Sequence, residues 1–210
     1  ARQDAALGQS AAARENMAQA NALLAGIGSQ RLDSARLERR VALAQLAVGS
    51  DLLASGSFDE ALKTLRPSLA SLERRAAADP KNIDSQRDLS LAANAVGDAL
   101  LAKGQIDEAL QRYREALAIR ERLVKRDPKN DAWRRDLSVS QERIGDVLLA
   151  KSELDEALNA YRTSLDLRLA AADLETSGDW QRQLAVSYNK IGDVLVARGA
   201  LAEALNHYRP

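Results

Sequence analysis

The sequence repeats itself with a period of 47 to 48 residues, and this repeat constrains the fold more than any other feature. Three segments of 17 residues align, and the first two share 10 identical positions, as do the second and third. They read RDLSLAANAVGDALLAK (87–103), RDLSVSQERIGDVLLAK (135–151) and RQLAVSYNKIGDVLVAR (182–198). A weaker copy precedes them, with Gly49 and the stretch FDEAL at 58–62. Such a period indicates an array of similar units rather than one irregular domain.

Each repeat unit is predicted to form two helices. In the third unit, apolar residues recur at helical spacing between Leu137 and Leu148, and a second helix begins at Leu154. Asn130 or Asp131 can cap the first helix, because a short side-chain oxygen accepts hydrogen bonds from its free amides. The predicted helices span residues 3–25, 34–55, 58–78, 84–103, 106–126, 131–151, 154–174, 179–198 and 201–209.

The repeat predicts an all-α solenoid, because a single helix pair cannot bury its apolar face and must stack on its neighbours. With 11 glycines and 4 prolines, the chain has too few turn-forming residues for many short strands. Residues 1–210 are expected to form one domain. Its predicted parts are a half-unit or capping helix (1–25), three units (34–78, 84–126 and 131–174) and a truncated fourth unit (179–210).

Small residues explain how the two helices of a unit can cross closely. Gly145 and Ala157 fall where a larger side chain would push the helices apart, and Tyr161 follows one turn later to fill the gap to the next unit. Gly, Ala and Tyr at this spacing resemble the tetratricopeptide repeat, in a long-unit variant similar to kinesin-light-chain-like repeats. The resemblance implies a right-handed superhelix whose first helices line a concave face that binds a peptide or protein segment.

Composition argues against several classes of function. The chain has 30 basic and 30 acidic residues, whereas nucleic-acid-binding proteins usually carry a basic excess. It has no cysteine and one histidine, which excludes thiol catalysis and sites rich in cysteine or histidine ligands for metals. The sequence shows no phosphate-binding loop and no apolar run near the roughly 18 residues of a membrane span. We therefore expect a non-enzymatic protein without cofactor, metal, nucleic-acid or membrane partner.

Helical spacing places polar residues of each first helix on one face. Positions separated by 4, 3, 4 and 3 residues form a stripe, which in the third unit is Arg135, Val139, Glu142, Asp146 and Leu149. The resemblance implies that these stripes line the concave face. The predicted binding residues, three from each of three units, are Arg87, Asn94, Asp98, Arg135, Glu142, Asp146, Arg182, Asn189 and Asp193.

These residue types suit a peptide ligand. An asparagine side chain donates and accepts together, so it can hold a peptide backbone, while arginine and aspartate rows can pair with ligand charges. The alternative is that the polar residues only solvate a helix face. In that case Arg143–Asp146 and Lys190–Asp193 are weak pairs three residues apart on one helix.

A second function remains open from the sequence. The chain begins at Ala1 and ends at Pro210 within a predicted helix, so we expect an excised fragment or a processed chain. Apolar residues near this end, including Val186 and Ile191, would then be uncovered, and pairing of like ends predicts a homodimer. The alternative function is thus a regulatory or oligomerisation segment of a larger, bacterial-type multidomain signalling protein that self-associates. The expected location is cytoplasmic.

Overall fold

A computed structural model describes residues 31–170 and 178–208 of the chain, and these residues form helices joined by short turns. The predicted helix at 3–25 lies outside the described residues. The helices are α1 (Arg31–Ala54), α2 (Phe58–Ala78), α3 (Ile83–Ala102), α4 (Ile106–Arg126), α5 (Asp131–Ala150), α6 (Leu154–Ala170), α7 (Gly178–Ala197) and α8 (Leu201–His207). Within the described ranges there is no strand. The predicted all-α class of paired helices is confirmed.

The helix starts follow the sequence signals closely. Asn130 caps α5, since its side-chain oxygen accepts the backbone N–H of Trp133 at 3.1 Å. Asn82 caps α3 in the same way through Ser85 N–H at 2.9 Å. Of the two candidates for the cap of α5, Asn130 is therefore the residue used.

The chain divides into two compact units between Arg112 and Tyr113, within α4. In the first unit α1 packs on α2, α2 packs on α3, and α1 also contacts α3. In the second unit α5 packs on α6, α6 on α7 and α7 on α8. That all helix pairs stack into one solenoid stays a prediction.

The two helices of a pair cross closely at glycine. A Cβ added to Gly145 in α5 would lie 2.6 Å from Cε1 of Tyr161 in α6, and Gly192 has the same distance to Tyr208. Ala157 is fully buried, as the small-residue prediction requires. Tyr161 thus lies over the glycine of its own unit, and the Lys190 ammonium of α7 lies 5.5 Å from the centre of its ring.

The turn between the helices of each pair uses a left-handed backbone conformation. Gly56, Gly104 and Gly199 hold this position with φ of 80°, 74° and 79°. In the third repeat the residue is Ser152, with φ of 59°. Since a side chain is disfavoured in this conformation, the third repeat carries backbone strain that the others avoid.

Candidate functional site

The predicted stripe is most open on α7. Arg182, Asn189 and Asp193 are all exposed, and the two valines of the same stripe, Val186 and Val196, are 40% and 45% exposed. The opposite side of the helix, with Ile191, Val194 and Leu195, is completely buried. An exposed face of α7 therefore combines a cation, an amide, an anion and two apolar side chains.

On α5 and α3 the corresponding stripes are less accessible. Arg135, Glu142 and Asp146 on α5 are half-buried, as are Arg87 and Asp98 on α3. Asn94 is only 4% exposed, so its amide does not offer a free surface. The row of amides predicted from the repeat is accordingly exposed at Asn189 and buried at Asn94.

A charged network links the α5 stripe to the helices that follow. Glu142 forms ion pairs with Arg168 of α6 and with Lys190 of α7, the latter at 2.9 Å from Nζ to Oε1. Lys190 Nζ also lies 2.6 Å from Oδ1 of Asp146. The two carboxylates predicted to bind a ligand thus share an internal cation.

The Asp146 carboxylate has a second partner in Tyr161, whose hydroxyl donates a hydrogen bond of 2.7 Å to the same oxygen. Burial raises the pKa of Tyr161 above its usual range, and the bond to Asp146 adds to the shift because ionisation would abolish it. The Lys190 ammonium lies 5.5 Å from the centre of the Tyr161 ring. Carboxylate, ring and ammonium therefore form one compact group.

The pKa of Glu142 reflects the balance in this network. Burial alone raises its pKa, but the hydrogen bond and positive charge of Lys190, together with Arg168, outweigh burial and hold the pKa below its ordinary value. Glu142 is therefore ionised at neutral pH.

The same arrangement recurs in part on α7 and α8. The Tyr208 hydroxyl donates to Asp193 Oδ1 at 2.5 Å, and this hydrogen bond raises the pKa of Tyr208. Asp193 is exposed, whereas its counterpart Asp146 is half-buried beneath Lys190. The aspartate of the stripe is therefore covered by a lysine in the third repeat and exposed in the fourth.

Arg39 on α1 stands 48 residues before Arg87, and an acid of α3 holds it. Arg39 on α1 forms a 2.6 Å bond from Nε to Oδ2 of Asp88 on α3. This hydrogen bond and the charge of Asp88 raise the pKa of Arg39 despite desolvation. Arg39 therefore serves the packing of α1 on α3.

Sequence reasoning missed two buried arginines that join successive repeats. Arg120 donates to the carbonyl of Asp136 and to Ser140 Oγ. Arg168, 48 residues later, donates to the carbonyl of Gln183 and to the hydroxyl of Ser187. These arginines are 2% and 4% exposed. Their recurrence at the repeat period, with a serine 19 or 20 residues later, is the sequence signal that could have found them.

Neither a metal-ligand cluster nor a membrane-spanning helix occurs among the described residues. No three or more histidine, cysteine, aspartate or glutamate side chains in the described ranges are arranged to hold a metal ion. None of the described helices is both long and apolar enough to cross a membrane.

Comparison with known proteins gives three kinds of result. Residues 90–128 match the family model described as tetratricopeptide repeat, and no curated protein matches the sequence. Similar solved structures are the apo form of RapI (TM-score 0.70, 12% identity, covering 99% of this chain and 48% of RapI) and BtubC (BKLC) from P. vanneervenii (0.60, 14%, 97% and 88%). A third is the Q17M form of nearly identical TPR-like repeats from Podosopora anserina (0.58, 16%, 95% and 89%).

These likenesses establish the fold. The chain spans about half the length of RapI, and identities of 12% to 16% carry no further inference about activity or partners. Tetratricopeptide repeats generally mediate protein–protein interaction, and scaffolds of this kind are typically non-enzymatic. The family resemblance predicted from glycine, alanine and tyrosine is confirmed. By fold the chain is a TPR-like helical repeat protein, and its residues 90–128 match the tetratricopeptide repeat itself.

Proposed function

We propose that this protein is a non-enzymatic interaction scaffold that binds a peptide or protein segment along the face of its first helices. The exposed stripe of α7 is the observation that carries the proposal. Two valines that are 40% and 45% exposed stand among Arg182, Asn189 and Asp193 on one helix face. A bound segment would cover the polar and the apolar side chains of this face together.

Each exposed group has a distinct role in this proposal. Arg182 pairs with a ligand carboxylate, and Asn189 holds the ligand backbone by donating and accepting hydrogen bonds. Asp193 accepts from a ligand cation or amide. Val186 and Val196 contact an apolar ligand side chain. This pattern favours an extended segment of mixed character over a purely acidic or purely basic one.

The other predicted binding residues contribute less directly. Arg87, Asp98 and Arg135 are half-buried, so they contact a ligand through part of their side chains. Glu142 and Asp146 already hold Lys190, and Asn94 is buried. We infer that these residues shape and stiffen the binding face, while α7 supplies most of the contact.

The test is to select, from a library of displayed random peptides, those that bind the intact chain, and then to measure their affinities for it. Asn189→Ala should weaken the selected peptides severalfold, because a lost hydrogen bond costs about 0.5–1.5 kcal/mol. The matched control is Asn159→Ala on α6, which removes the same amide from an exposed site on a second helix. Equal effects of the two substitutions, with unchanged helicity, would assign the stripe to solvation.

Self-association is the second candidate function, and exposed leucines on α8 favour it. Leu201 and Leu205 are 61% and 56% exposed on a helix whose alanine, Ala204, is buried. Apolar surface of this kind often marks an interface. Sedimentation at two concentrations tests the candidate, since a homodimer shows a concentration-dependent mass. A monomer at both concentrations would exclude self-association in the range examined.

A further inference from the structure

The ammonium of Lys190 is held by three side chains of the third repeat. Its Nζ lies 2.6 Å from Oδ1 of Asp146, 2.9 Å from Oε1 of Glu142 and 5.5 Å from the centre of the Tyr161 ring. Carboxylates attract an ammonium by charge, and an aromatic ring attracts it through its quadrupole. We call Glu142, Asp146 and Tyr161 the ammonium cage. Its two carboxylates belong to the α5 stripe, so α7 places one of its own side chains on that stripe.

The cage is partly open to solvent. The side chains of Lys190, Glu142 and Asp146 are 25%, 19% and 35% exposed. Tyr161 is 2% exposed and forms the buried side of the cage. Because solvent reaches both carboxylates in the folded chain, exchanging Lys190 for a cation from outside does not require unfolding.

Release of Lys190 strands neither carboxylate. Glu142 keeps its ion pair with Arg168, and Asp146 keeps the 2.7 Å hydrogen bond that the Tyr161 hydroxyl donates. The two cations also differ in how they are fixed. Arg168 is 4% exposed and donates to a backbone carbonyl of α7 at 3.1 Å. A lysine ammonium is a strongly hydrated point charge on a flexible stem, so Lys190 is the more exchangeable of the two.

Packing of one first helix on the next does not need this lysine. In the first unit Ala95 stands at the position of Lys190 and is 9% exposed. Leu46 and Ser50 stand at the positions of the two carboxylates. The helices concerned, α1 and α3, are nevertheless in contact. The lysine thus accompanies the acids of the stripe, and an alanine serves where those acids are absent.

We propose that Lys190 is an internal competitor on the binding face, whose ammonium occupies a subsite that accepts a lysine side chain of the bound segment. This inference rests on the proposed peptide-binding function and deepens it, since it names one ligand residue and what restrains its binding. The ligand ammonium takes over the contacts to Glu142 and Asp146, and Lys190 turns to solvent. The cage gains one ammonium as it loses another, so its charge is unchanged by the exchange.

A small ammonium ion tests the cage without any peptide. Lys190→Ala removes the side chain beyond Cβ, and n-propylammonium supplies the carbons and the nitrogen that are lost. We expect n-propylammonium chloride to shift the ring resonances of Tyr161 saturably in Lys190→Ala, whereas sodium chloride at the same concentration does not. The wild type, and Lys190→Ala combined with Asp146→Asn, are controls that should not respond. Absence of a saturable shift in a folded Lys190→Ala protein would overturn the proposal.

A lysine scan then tests the ligand residue. A peptide selected on the intact chain is made with lysine, or with its uncharged analogue norleucine, at each position in turn. At one position we expect Lys190→Met, which keeps an unbranched stem, to bind the lysine peptide about fivefold more tightly than the wild type does, and the norleucine peptide equally. A competitor that fills the cage about four-fifths of the time lowers the apparent affinity by about this factor. Lys125→Met, at an exposed lysine of α4, should change neither affinity.

The outcomes separate this proposal from the proposed function. If Lys190→Met gave the lysine peptide no advantage at any position, or weakened both kinds of peptide, the competitor role would be wrong, because a lysine that only stiffens the face behaves in that way. Peptide binding that depends on Asn189 would then still support the scaffold. Failure to select any peptide would refute the scaffold and the competitor role together, whatever n-propylammonium does.

Discussion

The second unit contains a buried charged network at positions where the first unit has apolar residues. Replacing all of the network residues by their apolar counterparts should preserve the free energy of unfolding, whereas replacing a single one should lower it. The network residues are Glu142, Arg168, Ser187 and Lys190. Two repeats earlier the same positions hold Leu46, Leu72, Ala92 and Ala95. Leu72, Ala92 and Ala95 are 1%, 0% and 9% exposed, so the chain already shows that apolar side chains fill these positions.

The magnitude of the single substitution follows from the contacts of Arg168. Its side chain is 5% exposed, pairs with Glu142, and donates to Ser187 and to the carbonyl of Gln183 at 3.1 Å. Removing one partner of a buried charged pair typically costs about 3–5 kcal/mol. Glu142 keeps Lys190 as a partner, so we expect Arg168→Leu to lower the free energy of unfolding by about 2–3 kcal/mol.

The fourfold substitution removes the charges together. Replacement of a buried ion pair by well-packed apolar residues is often neutral or stabilising. We expect Glu142→Leu, Arg168→Leu, Ser187→Ala and Lys190→Ala combined to change the free energy of unfolding by less than about 1 kcal/mol. Asp146 keeps the Tyr161 hydroxyl and remains 35% exposed, so the loss of Lys190 does not strand it.

Urea unfolding followed by tryptophan fluorescence measures both variants. The two tryptophans, Trp133 and Trp180, belong to the second unit, so their emission reports on the unit that carries the network. Additive effects, with the fourfold variant less stable than Arg168→Leu, would refute the reasoning. That result would mean that the charged pairs contribute net stability that apolar packing does not replace.

Three further predictions concern other parts of the structure. Ser152→Gly should raise the free energy of unfolding by about 1 kcal/mol, because glycine adopts the left-handed turn without strain, and an unchanged urea midpoint would contradict this. Gly145→Ala should destabilise by about 1–3 kcal/mol through the Tyr161 ring, with an exposed control such as Asn159→Ala leaving the melting temperature unchanged. The folded-state pKa of Glu142 is lowered, so its contribution to stability is present above the unfolded-state pKa of about 4.3 and is lost as the pH falls below that value. Glu142→Gln should therefore flatten the fall in the free energy of unfolding between about pH 5 and pH 3. An unaltered slope would argue against this role.

The helix pairs and their tight crossing could be predicted from the sequence because the repeat exposes them several times over. Glycine, alanine and tyrosine recur at fixed spacing, and the structure places Tyr161 on Gly145 and buries Ala157. Asn130 as a cap follows from its side chain and its place before the helix. These features depend on residues close in sequence or on positions that repeat without change.

The charged network could not be predicted in the same way. Spacing on a helix places Lys190 beside Asp193, but the structure joins its ammonium to Asp146, 44 residues earlier. Which carboxylate a long side chain reaches depends on the packing of one helix on another, and spacing along a single helix does not contain it. The sequence likewise did not reveal the contacts of the buried Arg168, although its alignment with Leu72 marks it as a core position.

The central claim, that a ligand covers the exposed face of α7, is tested most directly by thiol protection. The natural chain has no cysteine, so Val186→Cys on α7 and Asn159→Cys on α6 each introduce a single reactive thiol. Both positions are exposed, and both should react with a maleimide in the free protein. The account predicts that a saturating selected peptide slows labelling at Val186→Cys and leaves Asn159→Cys unaffected. Equal labelling of Val186→Cys with and without bound peptide would contradict it.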